Sequence, residues 1–389
     1  MTRRFLLLMG LGILGLILNH SATFGYQATF DLAWRYRPEV ATTCEDLTPP
    51  VRCPNYDQVH SPTYWGLTVV RRFIAFGVPV FLMVSGYFIA FAAGRKDARI
   101  KWPILKTRVV GLAIPYLVWS IIIFVGQAIF YNRVYFSDNI YLTAWEYIRR
   151  LLVGGATGSY YYIPLLIQLY LLSPILVPLA KNRWKGLLIG TAVLMIFVET
   201  LRYLQLFGLG EPVVPTLIKL TPLWFFPRRL FWFALGIVFG FHIGDFKPFF
   251  VRHKNKLVFG TVLFYLLSLV EFEVLLAASG QPWIDFFSTY TTNIYAGLFM
   301  MAMLSVKKLK LPYTPQIMDI GAKAFGIYLI HEQVLELVGT LMFRFTPWIL
   351  GYQILYQPIM IVSALGVPLL LMWAVSRSPA KKLYKYSFG

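Results

Sequence analysis

RRFIAFGVPVFLMVSGYFIAF, residues 71–91, is the stretch whose reading decides the fold. It is long enough, at about 1.5 Å per helical residue, to cross the roughly 30 Å of hydrocarbon in a bilayer, yet it begins with two adjacent arginines. A guanidinium at mid-bilayer costs roughly 2.5–3.5 kcal/mol on insertion scales and much less near the interface, where it reaches water. Arg71 and Arg72 therefore either mark the membrane boundary or bind an anion at the mouth of a span.

Working outward, the composition matches that local pattern. Of 389 residues, 58% are hydrophobic and 14% charged, and mean hydropathy is +0.63. These values define a polytopic membrane protein. Apolar segments separated by loops rich in Lys, Arg, Pro or Trp predict an all-α transmembrane bundle of about ten spans: 5–19, 67–92, 109–130, 160–179, 186–207, 223–243, 257–278, 288–306, 324–342 and 354–375. The first follows Arg3 and Arg4 and resembles a signal peptide, but it has no convincing small-residue cleavage site and is expected to be retained. Its Gly10, Gly12 and Gly15 predict close packing against another helix.

Loop charge predicts the orientation. On one side fall 22 of the 36 basic residues, including Arg95, Lys96, Arg99, Lys101, Lys106 and Arg108; the opposite side holds most of the 17 acidic residues. The positive side is then cytoplasmic and both termini lie inside. The net charge of +19 is spread over membrane-flanking loops, so the lipid bilayer is the expected partner and nucleic acid is not. No repeat or soluble domain is evident, and residues 1–389 read as one integral membrane unit. The loop 21–66 is the one sizeable insert and lies outside the cytoplasm in this topology. Its Cys44 and Cys53 can form a disulfide there, and two thiols alone do not suggest a metal site. His60, near Asp57, lacks a third ligand, and His242 and His253 look like ordinary cytoplasmic-side residues.

Ionisable residues within spans face a bundle interior or a watery cavity. His20 closes the first span, and Arg71 and Arg72 open the second from the outer side, so the three can meet in the outer half. Glu199 and Arg202, three apart, share a helix face and can neutralise each other. Glu271 and Glu273, two apart, cannot share a face, so at least one points to protein or water. In GIYLIHEQVLELV, His331, Glu332 and Glu336 make a polar face near mid-membrane.

The ordered segments LILNH ending at His20, VPVFLMVSGYF at 78–88, IPYLVW at 114–119, YYIPLLIQLYLLSPIL at 161–176, RRLFWFALGIVFG at 228–240 and FGIYLIH at 325–331 together resemble acyltransferase family 3, whose integral membrane members transfer acyl groups to surface carbohydrates. The resemblance implies cytoplasmic acyl-CoA, usually acetyl-CoA, as co-substrate, with no tightly bound cofactor. It also implies a polysaccharide, glycolipid or glycan-precursor acceptor, and residence in the plasma (bacterial inner) membrane. On it, His20 is the expected general base, aided by Arg71 and Arg72, while Glu199, Arg202, Arg228, Arg229, His331 and Glu332 are expected on the acceptor. Lys106, Arg108, Ser85 and Gly86 are expected on acyl-CoA. One departure stands out: the family arginine eleven residues before the histidine is here Met9, and Arg4 lies sixteen before. The paired Arg71 and Arg72 are expected to supply that charge instead. The rival expectation is a transporter or flippase of a lipid-linked glycan, which interior Arg, Glu and His would also suit.

Overall fold

A computed structural model describes residues 2–29, 61–94, 99–131, 140–279, 288–306 and 312–389. Cys44, Cys53, Asp57, His60, Arg95 and Lys96 lie outside the described residues. Every regular element among the described residues is helical. In chain order they are α1 (Thr2–Thr29), α2 (Pro62–Phe73), α3 (Gly77–Ala93), α4 (Trp102–Tyr131), α5 (Ile140–Val153), α6 (Tyr162–Asn182), α7 (Trp184–Leu206) and α8 (Val213–Lys219). There follow α9 (Leu230–Arg252), α10 (Lys254–Ser279), α11 (Tyr290–Ser305), α12 (Thr314–Ala322), α13 (Ala324–Phe345), α14 (Gln353–Arg377) and α15 (Tyr384–Phe388).

Among the described residues, eight helical stretches are long and apolar enough to cross a membrane: α1, α2 with α3, α4, α6, α7, α9, α10 and α14. The two further spans expected from the sequence are helices as well. However, α11 has only 16 residues, and the apolar run of the continuous helix α13 is interrupted by His331, Glu332, Gln333 and Glu336. The expected span at 223–243 shifts to Leu230–Arg252. Pro222 and Pro227 lie just upstream and keep the segment leading into it from continuing as α-helix.

The opening stretch does not form one unbroken helix. A single 3₁₀ turn, Ile74–Phe76, separates α2 from α3. Pro79 accounts for it: the ring lacks an N–H and crowds the carbonyl four residues back, so the ladder gives way there. Tyr295 donates its hydroxyl to the Phe73 carbonyl at 2.5 Å, and Tyr265 bonds the Val69 carbonyl at 3.0 Å. The Phe73 carbonyl, passed over by the Gly77 N–H in favour of Ile74, is thus paired from α11, as a lipid setting requires. Arg71 and Arg72 occupy the last turn of α2, where the helix dipole favours cations.

The bundle has two large apolar clusters. One joins Phe5 and Leu8 to buried side chains of α3, α6, α9 and α11. The other joins Ile13 and Ile17 to α13 and α14. Helix α1 thus belongs to both, its N-terminal third to the first and its middle to the second. Gly10 lies so close to α12 that a Cβ would fall 2.0 Å from the Ile317 carbonyl oxygen, while Cβ atoms on Gly12 and Gly15 would meet Phe81 at 3.4 Å and Ile74 at 3.3 Å. The tightest long-helix contact is between α3 and α9, where Cβ atoms on Gly86 and Gly236 would sit 2.1 and 1.9 Å from the Phe233 and Met83 carbonyl oxygens. Small residues let backbones approach and gain dispersion contact where no hydrophobic force separates lipid from helix. The outer faces of α4, α7, α10 and α14 expose Ile, Val, Leu and Phe, including Ile121, Ile189, Phe259 and Ile354, as lipid contact demands.

The α3–α9 contact predicts a sharp asymmetry between glycines. Gly236→Ala should destabilise the detergent-solubilised protein by about 1–3 kcal/mol through overpacking. Gly111→Ala, with nothing within 4 Å, should leave it unchanged or up to ~1 kcal/mol more stable through helix propensity. Thermal unfolding of the two variants checks this.

Candidate functional site

A cavity of about 420 Å³ lies inside the bundle, walled by α1, α2, α3, α4, α6 and α13 and by the segment ahead of α9. Along α1 the wall is formed by Met9, Leu16, Asn19, His20 and Thr23. Met9, Leu16, His20 and Thr23 are spaced by 7, 4 and 3 residues, which makes a single helical stripe. Met9 to Thr23 spans about 21 Å of helix axis at the standard rise, so the cavity runs across much of a membrane's depth.

At one end stands a cluster of imidazoles and a carboxylate. The His20 ring packs edge to face on His331, with centroids 5.2 Å apart. His331 is fully buried. Its Nδ1 is 2.8 Å from the Tyr328 carbonyl, and its Nε2 has no hydrogen-bond partner among the described residues. Glu332 lines the cavity within electrostatic reach of His20. Its carboxylate accepts hydrogen bonds from the Thr157 hydroxyl and, at 2.9 Å, from the Ser159 backbone N–H. The loop that supplies these donors turns at Gly154, whose φ of +78° is reserved for glycine and whose Cβ would meet the Tyr160 carbonyl carbon at 2.5 Å. Tyr328 donates to the Ser159 carbonyl, and Tyr160 donates to the Leu329 carbonyl at 2.6 Å. The loop 154–161 and α13 are thereby fixed to each other, and the Glu332 carboxylate is held in place.

Three arginines reach the same end: Arg71, Arg228 and Arg229 line the cavity with His20. Arg72, one residue on, points away; it is buried, and its guanidinium lies 3.8 Å over the Phe272 ring. It faces Glu271 electrostatically. Glu271 accepts hydrogen bonds from Tyr203 at 2.6 Å and from the Thr291 hydroxyl, and Glu273 accepts one from Tyr64 at 2.5 Å. Both carboxylates of that pair thus bond to protein. Glu199, expected beside Arg202, makes its ion pair with Arg228 at 3.6 Å and accepts a hydrogen bond from Ser288 at 3.0 Å. Arg202 and Arg229 also act on it electrostatically. Arg202 does not line the cavity.

At the far end Ser85 lines the cavity beside Tyr162 and Tyr170. Arg108 also acts on Tyr170 and hydrogen-bonds the Phe88 carbonyl at 3.5 Å. Lys106 is exposed nearby on the first turns of α4. Gly86 faces the Phe233 carbonyl on α9, so its missing side chain serves helix packing. Met9, at the position where the resembling family carries arginine, presents a thioether to the cavity.

Of the residues expected from the sequence, His20, Arg71, Arg228, Arg229, Glu332 and Ser85 share the cavity wall. His331 stacks behind His20, and Arg72, Arg202, Glu199, Gly86, Lys106 and Arg108 lie outside it. Sequence reasoning passed over Thr157, Ser159, Tyr162, Tyr170 and Asn19. A signal existed for two of them: Tyr162 and Tyr170 are eight apart in YYIPLLIQLY, which puts them on one helix face. An imidazole beside a fixed carboxylate can take a proton, and a neighbouring guanidinium can stabilise negative charge on oxygen.

The sequence pattern described as an acyltransferase domain, that of acyltransferase family 3, matches residues 7–373. No protein of curated function and no solved structure matches the chain.

The Glu199–Arg228 pair gives a stability prediction. Glu199→Ala leaves Arg228 buried beside Arg229 without its closest counter-charge and should cost about 3–5 kcal/mol. The double change Glu199→Gln with Arg228→Met removes both charges and should cost clearly less, as read by thermal unfolding in detergent.

Proposed function

The chain belongs to acyltransferase family 3, a family of integral membrane acyltransferases, and from that premise we propose that it moves an acetyl group from cytoplasmic acetyl-CoA to a hydroxyl of a cell-surface polysaccharide, glycolipid or glycan precursor. Both termini face the cytoplasm and the bilayer is the plasma (bacterial inner) membrane in this reading. One observation carries it: a single cavity joins the end beside Arg108, Tyr170 and Ser85 to the end that holds His20, Glu332 and Arg71.

Acetyl-CoA approaches from the side of Lys106 and Arg108, whose charges suit its phosphates. Its pantetheine arm enters past Ser85 and brings the thioester toward His20. The acceptor arrives from the opposite face. A neutral imidazole nitrogen of His20 takes the proton of the acceptor hydroxyl as that oxygen bonds to the thioester carbonyl carbon. The oxyanion that forms is stabilised by Arg71. The carbon–sulfur bond then breaks, and the CoA thiolate leaves with the proton that His20 has held. Glu332, fixed by Thr157 and Ser159, orients the imidazole and stabilises it while charged. His331 packs behind His20 and limits its tilt.

Purified full-length protein supplied with labelled acetyl-CoA and a panel of glycans tests the reading. Label should pass to a glycan, and His20→Ala should lower the rate by about 10²–10⁴ with the protein still present in the membrane. Movement of unmodified lipid-linked glycan without label transfer would establish the carrier alternative, and full transfer by His20→Ala would relocate the chemistry.

A further inference from the structure

The pair Arg228–Arg229 carries more than the transfer step requires. Arg228 closes the 3₁₀ turn Phe226–Arg228 and Arg229 caps the 23-residue α9, so both stand at the positive end of a long helix. Each is only 4% exposed, and both line the cavity. A guanidinium offers five N–H donors, and buried donors in folded proteins are nearly always paired. Among the described residues, Arg228 makes no hydrogen bond; its nearest partner is Glu199, 3.6 Å from Nε. Arg229 makes one, from Nη1 to the Ser288 hydroxyl at 3.3 Å, and its Nε is unpartnered. Glu199 acts on Arg229 as well, so among the described residues this carboxylate faces both guanidinium groups of the pair. Glu271, the next carboxylate, is taken up by Tyr203 and Thr291 and faces Arg72.

Resting on the acyl-transfer reading, we propose that Arg228 and Arg229 form a subsite for an oxyanion borne by the acceptor, which makes the acceptor an acidic glycan or a phosphate-linked glycan carrier. Two adjacent forks of N–H donors match phosphate or carboxylate oxygens, and a second negative charge compensates the cationic surplus that a neutral sugar would leave buried. The depth of the pair assigns it to the acceptor. Gly236 packs on Met83 and Gly240 on Ala90, so α3 and α9 run parallel and Arg229 stands near the level of residue 76. Arg108 hydrogen-bonds at Phe88, a dozen residues or ~18 Å further along the helix axis. The phosphates of CoA, held at Arg108, do not reach Arg228 or Arg229.

Binding to the detergent-purified full-length chain tests this with four probes: farnesyl phosphate, glucuronate, neutral glucose and free CoA. At least one oxyanion probe should bind more tightly than glucose; farnesyl phosphate identifies a phosphate-linked carrier and glucuronate an acidic sugar. Arg229→Gln should weaken that probe about tenfold or more, the effect of losing charged hydrogen bonds, with CoA affinity unchanged. Arg228→Met, which removes one cation and leaves Glu199 facing Arg202 and Arg229, guards against misfolding and should show the same loss. Equal binding of all three acceptor probes, unchanged oxyanion affinity in both variants, or a matching loss of CoA affinity would overturn the proposal. Because binding is read without transfer, probe binding by a protein that transfers no acetyl group sinks the enzyme reading and leaves the oxyanion site standing. Transfer without probe binding sinks the site alone.

Discussion

Hydrocarbon cannot solvate a charge or a bare peptide group, and that one constraint organises this molecule. Long helices pair their own backbones and turn Ile, Val, Leu and Phe outward. The ionisable side chains are thereby pressed inward, where they must pair with one another or open onto a shared space. Here they do both. Arg72, Glu271 and Glu273 are absorbed into contacts with Phe272, Tyr203, Thr291 and Tyr64. His20, Arg71, Arg228, Arg229 and Glu332 open onto the cavity.

The break ahead of Pro79 ties this arrangement to the backbone. It ends α2 at Phe73 and places Arg71 and Arg72 in a helix-terminal turn. About 100° of helix rotation between adjacent residues then sends one arginine to the cavity and the other to Phe272. Tyr295 satisfies the Phe73 carbonyl freed by the break. Below it, α3 is pinned to α9 by glycine contacts, which fixes the depth of Ser85 relative to the arginines. On the opposite wall, the loop 154–161 is fastened to α13 through Tyr160, Tyr328 and Glu332. The chamber is therefore framed by elements that resist relative movement, as a site that must align two substrates requires.

Much of this was legible in the sequence, for a physical reason: hydrophobic length and helical periodicity are local properties. The helical class, the inward polar face of GIYLIHEQ and the close-packed glycines of α1 could be read directly. The pairings could not. Glu199 lies three residues from Arg202, which acts on it as that spacing suggests, but its ion pair with Arg228 comes from another segment. Nothing local distinguishes Arg71 from Arg72, or Ser85 from Gly86. Which member of each pair faces the cavity depends on how α2 and α3 rotate against α9 and α10. Thr157 and Ser159 were invisible because a loop donor matters only once α13 brings Glu332 to it. The span count was legible only to within the two helices, α11 and α13, that are short or polar.

Acyl transfer as proposed needs an imidazole and guanidinium groups to share one chamber that two substrates enter from opposite faces. Single-particle imaging of the full-length protein with acetyl-CoA bound tests this most directly. The nucleotide should lie at the Arg108 end, with the thioester carbon inside the chamber beside His20. A nucleotide at Arg228 and Arg229, or a thioester outside the chamber walled by His20 and Arg71, would contradict it.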